Sequence, residues 1–336
     1  FYDRERLIAL PYDCAVANTF YRQDVFEANT KDFEAEYGYR MEFTTDTTWK
    51  NVLDYSTFLK KLRESGKDVP YGYAQHHGSF AWTTQLDIQR MMFAHGRWLD
   101  WEIDDKLGSK TPPPSNWGDE QSVLLMQKHK DIADVCHPDN LANGTLELNT
   151  VYQAGDIAMQ VQYHEFCASI EDEGTSKAAG GKTAYAACPK GEPSWIVNGG
   201  PAVNGTNCGI GGIGINGNAS EDVQRAAYIF CVYATSGDLQ YDVLKGMGGT
   251  PTRKSVLERA DVKAARSRPT TMPNALTFDA VYDHGIKDPH FVLGPKVPEG
   301  NEYHSIMASE VQRCVAGEIS AQEACDNIKD GIDDLH

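Results

Sequence analysis

Five glycines, Gly209, Gly211, Gly212, Gly214 and Gly217, fall within nine residues of the stretch Asn207–Val256, and a strongly signalled helix follows them. Glycine serves where the chain must take positive φ or admit a ligand close to the backbone, so a short strand ending in small polar residues is expected here. Ser220 is placed to cap the helix, Glu221 and Asp222 sit in its first turn, and Val223, Ala226, Ala227, Phe230 and Ala234 recur at helical spacing. That stripe is expected to pack inward. A second glycine-rich turn leads to Pro251, Thr252 and Arg253, with a new helix beginning near Ser255. Arg253 is thereby either a guanidinium fixed at a loop, suited to a planar or bidentate polar partner, or an ordinary surface arginine.

A chain of 336 residues, 41% of them hydrophobic, can bury a sizeable core in one large or two medium domains. No run of eighteen apolar residues is present, so no membrane-spanning helix is expected. The net charge of −17 argues against nucleic acid or an acidic membrane surface as partner and leaves a neutral small molecule as the default ligand. The chain starts at Phe1 with no basic, then apolar, leader; any targeting segment is expected to be removed already.

None of the eight cysteines forms a CxxC pair or sits near histidine at zinc-site spacing, so neither a metal nor another cofactor is expected. The glycine cluster lacks the GxxxxGK pattern of a phosphate loop, and its GxGxxG-like spacing is imperfect. Cys314 and Cys325 flank a turn at Gly317 between two expected antiparallel helices, which makes a disulfide, and with it an oxidising compartment, the expectation. Two buried free thiols are the alternative. Cys167, Cys188 and Cys208 leave further pairings open.

Along the chain, LIAL reads as a strand ended by Pro11 and AVANTFYR as a second, with Tyr12, Asp13 and Cys14 at the turn between them. Helices are expected within residues 30 to 65, the second capped by Thr47 or Thr48 and burying Val52, Leu53, Tyr55, Phe58, Leu59 and Leu62. A strand over Val69–Gln75 delivers His76 and His77, whose side chains point to opposite faces and cannot chelate one ion together. Trp82, Phe93, Trp98 and Trp101 cluster in the following helical stretch; such residues form core or, as at Trp82, a stacking surface for a sugar ring. Asp100, Glu102, Asp104 and Asp105 lack the calcium-loop pattern and read as a solvated loop. DIAMQVQY reads as a buried strand ending at Tyr163, His164 and Glu165, and in open α/β sheets ligands collect at the carboxyl ends of strands, which makes Tyr163 and Glu165 cleft candidates. The NxS/T triplets at Asn143, Asn204 and Asn218 read as chance occurrences in polar loops.

Six segments, in order, resemble the extracellular solute-binding proteins of bacterial ABC importers, specifically the sugar-binding group that includes maltose- and trehalose-binding proteins. They are ALPYDCAVANTFYRQDVFE, TTWKNVLDYSTFLKKL, VYQAGDIAMQVQY, GGIGINGNASEDVQRAAYIFCVYATS, GTPTRKSV and VQRCVAGEISAQEA. The resemblance spans Leu7 to the end and implies an α/β fold of the periplasmic-binding-protein type. Two lobes with mostly parallel sheets would close by a hinge on a ligand in the cleft between them. Residues 1–65 would form part of lobe one, 66–256 mainly lobe two with hinge crossings, and 257–336 helices returning to the hinge and lobe one. The family has further lobe-one strands and helices ahead of the Leu-Pro-Tyr-Asp segment, so the chain is expected to be part of a longer protein, since a lobe without its central strands would expose sheet edges.

Carried over residue by residue, the resemblance implies cleft contacts from Tyr12 and Asp13, with Ala15 where a polar partner is common. Tyr163 stands where a stacking Trp is common, Gly211 and Gly212 match a pair normally followed by Trp but here by Ile213, and Arg253 matches an arginine that reaches ligand hydroxyls. Two weakened aromatic platforms favour a compact sugar or polyol over a long oligosaccharide. The implied partners are that solute and the membrane permease of an ABC importer, for a monomer working in the periplasm or outside the cell, with lipid anchoring through an upstream segment open. The alternatives are a secreted glycoside hydrolase, for which Asp13 and Glu165 would be the carboxylate pair, and a surface receptor of the same fold.

Overall fold

The computed structural model describes residues 2–3, 6–78, 81–97, 116–285, 291–292 and 299–335. Its strands are β1 (Tyr2–Asp3), β2 (Arg6–Leu7), β3 (Leu10–Arg22), β4 (Tyr71–Tyr73), β5 (Ile157–Tyr163), β6 (Thr183–Ala186), β7 (Thr206–Ile213) and β8 (Phe291–Val292). The helices are α1 (Gln23–Tyr37), α2 (Trp49–Glu64), α3 (Ala81–Thr84), α4 (Leu86–Ala94), α5 (Glu120–Ala133), α6 (Thr145–Ala154), α7 (Cys167–Glu171), α8 (Glu221–Ala234), α9 (Gly237–Met247), α10 (Lys254–Leu257), α11 (Ala260–Ala264), α12 (Gly300–Val315) and α13 (Ala321–Asp333).

Strand β3 organises the fold. Its first half, Leu10 to Val16, runs antiparallel to β7, and its second half runs antiparallel to β5 and β6. Parallel pairing occurs at β4 with β5 and at β7 with β8. The strand is continuous through Pro11, where the sequence predicts a break and a turn at Tyr12–Cys14. The register shifts between Pro11 and Asp13, and such a bulge accommodates a residue that cannot donate to the ladder. From Cys14 to Phe20 every residue is buried, so both faces of the strand are covered.

One large core gathers Phe26 and Phe33 of α1, Trp49, Val52, Tyr55, Phe58 and Leu59 of α2, and Ile88, Met91, Met92, Phe93 and Ala94 of α4. Leu125 and Ile132 of α5 join it, as do Tyr303, Val311, Ile328 and Ile332 of the C-terminal helices. This core crosses the division at residues 65 and 256: the N-terminal and C-terminal helices share it with α4 and α5. A second core, of Leu244, Val256, Val262, Met272, Ala275 and Phe278, lies under α9 to α11. Helix α2 carries its expected cap, with Asn51 N donating to Thr48 Oγ1 (3.3 Å) and Thr48 N to Asn51 Oδ1 (2.7 Å). Strand β4 approaches α2 so closely that a Cβ on Gly72 would lie 2.3 Å from Ser56 Cα.

Further expectations fail. Cys314 and Cys325 are free buried thiols, filling the contact between α12 and α13 as small apolar side chains rather than forming a disulfide. Helix α8 forms where its periodicity predicts, but its stripe does not face inward: Val223 is 56% and Phe230 60% exposed, and Cys231 is the buried residue of the helix. Ser220 occupies the N-cap position without a side-chain capping bond. No helix among the described residues is long and apolar enough to cross a membrane.

Candidate ligand-binding site

The crossing point of β3 brings most of the predicted site residues together. Asp13 pairs with Gly211, Pro11 with Gly212 and Leu10 with Ile213. Gly211 lets the Tyr12 ring lie close to the backbone: a Cβ there would lie 2.8 Å from Tyr12 Cε1 and would push this ring aside. The loop before α10 docks on the same strand: Cys14 N donates to Thr250 O (3.1 Å), and Thr252 Oγ1 donates to Pro11 O (3.1 Å). Gln240 of α9 braces that loop, its Oε1 accepting from the backbone N–H groups of Thr252 (3.0 Å) and Arg253 (3.1 Å). Arg253 is exposed, and its Nε donates to the carbonyl of Thr235, which sets the direction of the guanidinium.

On the other side of the crossing, Tyr163 ends β5 opposite Ala17 and is 7% exposed. A Cβ on Gly209 would lie 3.6 Å from its Cε1 and 3.8 Å from Ala15 Cβ, so the ring packs over the glycine-bearing part of β7. Glu165 follows in a turn and is exposed overall. Trp82 lies on α3 and its side chain is outside the described residues, as are Trp98, Trp101 and the acidic run from Asp100 to Asp105.

The electrostatics of this region are acidic. Desolvation pushes the half-buried carboxyl of Asp13 up to about 6, against the opposing pull of the Cys14 backbone N–H. Desolvation, and then the charge of Asp13, also raises Glu165. Two carboxyls that sense each other at the crossing can accept hydrogen bonds from hydroxyl groups, and Asp13 near its titration point can also donate one. The sequence gives no sign of these raised values; they come from burial at the crossing.

Sequence reasoning missed the layer beneath Tyr163. Asn207 Nδ2 donates to the Tyr163 hydroxyl (2.6 Å), and Arg90 Nε donates to Asn207 Oδ1 (2.6 Å). Arg90 Nη1 donates to Asp87 Oδ1 (2.9 Å), and Asp87 Oδ2 accepts from the His76 backbone N–H (2.7 Å). The available signal was an Asp and an Arg three apart inside the otherwise apolar LDIQRMMFA. His76 and His77 are both fully buried, and burial lowers the pKa of each. Among the described residues no three His, Cys, Asp or Glu side chains gather as metal ligands.

A long strand that pairs with β7 along its first half and with β5 and β6 along its second, with acidic and aromatic groups beside it, fits the two-lobed α/β architecture of periplasmic-type binding proteins. A model of the bacterial extracellular solute-binding protein family matches residues 2–270, and the chain belongs to that family. Among solved structures it is similar to maltose-bound MalE3 of T. maritima (TM-score 0.74, 17% identity, covering 99% of this chain and 74% of that one). It is also similar to an ABC-transporter solute-binding protein of Agrobacterium radiobacter in complex with ribitol (0.75, 18%, 100% and 73%). A third such protein, from Agrobacterium vitis with bound D-mannitol, gives 0.73 at 18% identity, covering 99% and 74%. At these identities the likeness establishes the fold. No match is found among curated protein sequences.

Proposed function

We propose that the protein binds a compact sugar or polyol at the β3 crossing, outside the cytoplasmic membrane, and delivers it as a monomer to the permease of an ABC importer. Tyr12, Asp13, Tyr163, Glu165, Gly211, Gly212, Ile213 and Arg253 would form the site, with Trp82 as a further wall. What supports this reading is that Asp13, paired with Gly211, sits on the same strand that Tyr163 meets at the end of β5, close enough for its charge to raise Glu165, in a chain of the solute-binding family. Carboxylates accept the hydroxyl hydrogens of such ligands, and Ile213 in place of a large aromatic leaves little platform for a stacked oligosaccharide. The structural relatives bound to maltose, ribitol and D-mannitol lend the ligand class. The lobes would follow the main core and the core under α9 to α11, with β3, which pairs with different strands along its two halves, as one hinge crossing, rather than breaks at residues 65 and 256.

Raised carboxyls are also what a glycoside hydrolase carries, but family membership favours binding without turnover. Mass spectrometry of ligand released from freshly purified, denatured protein, with melting curves in ribitol, D-mannitol, maltose and long maltodextrins, tests the reading. A compact sugar or polyol should raise the melting temperature, by about 2.7 kcal/mol of stabilisation at one hundred times Kd. A response to long maltodextrins alone overturns the compact-solute reading, and hydrolysis of aryl glycosides overturns the binding-only one.

A further inference from the structure

Tyr73, His76, Asp87, Arg90, Asn207 and Tyr163 form one polar chain drawn from β4, the segment that follows it, α4, β7 and β5, and each is 7% exposed or less. Tyr73 OH donates to Asp87 Oδ1 (3.1 Å), and Asp87 Oδ2 lies 3.0 Å from His76 Nδ1. Arg90 closes on Asp87 with one arm, reaches Val161 O (3.3 Å) with the same nitrogen, and turns its Nε to Asn207. Burying an ion pair is costly unless its geometry is fully supported, so a chain of this kind calls for a role beyond stability.

Its two ends differ. One is anchored in the interior at Tyr73 and His76; the other is the ring that lies over Gly209 where β3 crosses. Guanidinium groups only donate, so Arg90 Nε fixes the amide of Asn207 with its oxygen inward. The amide nitrogen must then face Tyr163 and donate to its hydroxyl, turning the phenol's own hydrogen away from Asn207. Arg90 also sits 5.9 Å from the centroid of the Tyr163 ring, so it constrains the ring face as well as the hydroxyl.

We propose that Arg90, acting through Asn207, is the positioning residue of the ligand site: it fixes the orientation of the Tyr163 ring and hydroxyl and thereby tunes which solute the site accepts. This rests on the reading of Tyr163 as a wall of that site, and the test separates the two. Protein labelled with ¹³Cζ-tyrosine gives one resonance per tyrosine, and Tyr163→Phe identifies that of Tyr163. Asn207→Leu, and separately Arg90→Lys, which keeps a cation beside Asp87, should each shift that resonance while tyrosines outside the chain keep theirs. A Tyr163 resonance unmoved in folded Asn207→Leu overturns the positioning role.

The second readout is Kd by calorimetry for D-mannitol, ribitol and maltose. Asn207→Leu and Tyr163→Phe should each weaken binding about tenfold, with the double variant within twofold of either single. Weakening by Tyr163→Phe alone overturns the proposal and spares the site; a shifted resonance with no binding of any probe supports the positioning and refutes the sugar reading.

Discussion

Helices α2 and α8, of 16 and 14 residues, each carry an apolar stripe at helical spacing, yet one is core and the other is surface. In α2, Val52, Tyr55, Phe58 and Leu59 are at most 2% exposed, because α1 supplies aromatic partners and β4 closes in at Gly72. In α8, Val223, Tyr228, Ile229, Phe230, Val232 and Tyr233 remain open among the described residues. Another side of the helix forms, with Ile215, an open depression lined by Glu221, Gln224, Arg225, Tyr228 and Ile229, apart from the residues proposed for ligand binding. Periodicity specifies a helix and which side of it is apolar; it does not supply what that side packs against.

The sharpest break of this contrast is Phe58→Ala. The ring meets Phe33 edge-on at 5.3 Å inside the main core, and its removal should cost about 3–5 kcal/mol in urea unfolding. A loss below about 1 kcal/mol would mean that α2 is no better packed than α8 and would erase the distinction.

The caps offer a second, smaller contrast. Thr48 makes a reciprocal capping box with Asn51, and its hydroxyl also shares a hydrogen bond with Glu192 Oε2 (3.0 Å). Thr48→Ala should cost about 1 kcal/mol, whereas Ser220→Ala, at a cap without a side-chain bond, should cost a few tenths at most. Equal losses in the two variants would show that α8 is capped as firmly as α2.

How far the sequence was legible follows the same divide. The strand at DIAMQVQY, the capped helix from Trp49 and the closing helix from Ala321 are visible because local pattern and tertiary partner agree. The run of β3 through Pro11 is not, since a proline and a tyrosine–aspartate pair carry turn chemistry that tertiary pairing with β7 overrides. Of the residues proposed for the site, Tyr12, Asp13, Gly211 and Gly212 are readable from one strand and one glycine cluster, and the structure pairs Asp13 with Gly211. Asn207 and Arg90 are not readable in this way, because a residue's role under another side chain depends on a contact 117 positions away in sequence. The expected pairing of Cys314 with Cys325 failed for a related reason: loop length brings two helices together, and packing then decides what their cysteines do.

Asp13 belongs to neither helix, and its titration reports how dry the β3–β7 crossing is. Its folded pKa of about 6 exceeds its ordinary value of 3.8, so the native state holds this proton more tightly than the unfolded chain does. The stabilisation is present in full below pH 3.8 and is lost as pH rises through 6. Asp13→Asn removes the dependence, so its melting temperature relative to the wild type should be higher at pH 7 than at pH 4. A difference that is flat across this interval would place Asp13 in solvent and detach it from the partly desolvated site.

The smallest expected effect is the most telling about α8. Phe230 is 60% exposed and its helix contributes Cys231 to the interior, so Phe230→Ala should change stability by no more than about 0.5 kcal/mol. The measurement is urea unfolding at several protein concentrations, beside Phe58→Ala. A Phe230→Ala loss approaching that of Phe58→Ala would mean the ring is buried in solution, and the contrast between the helices would then lie in which partner each has rather than in whether it has one. A loss that grows with protein concentration would assign the covering to a second copy, because only an intermolecular contact gains from mass action. A small loss at every concentration leaves the stripe of α8 as open surface, with the fold held by the core around α2 and by the pairing of β3.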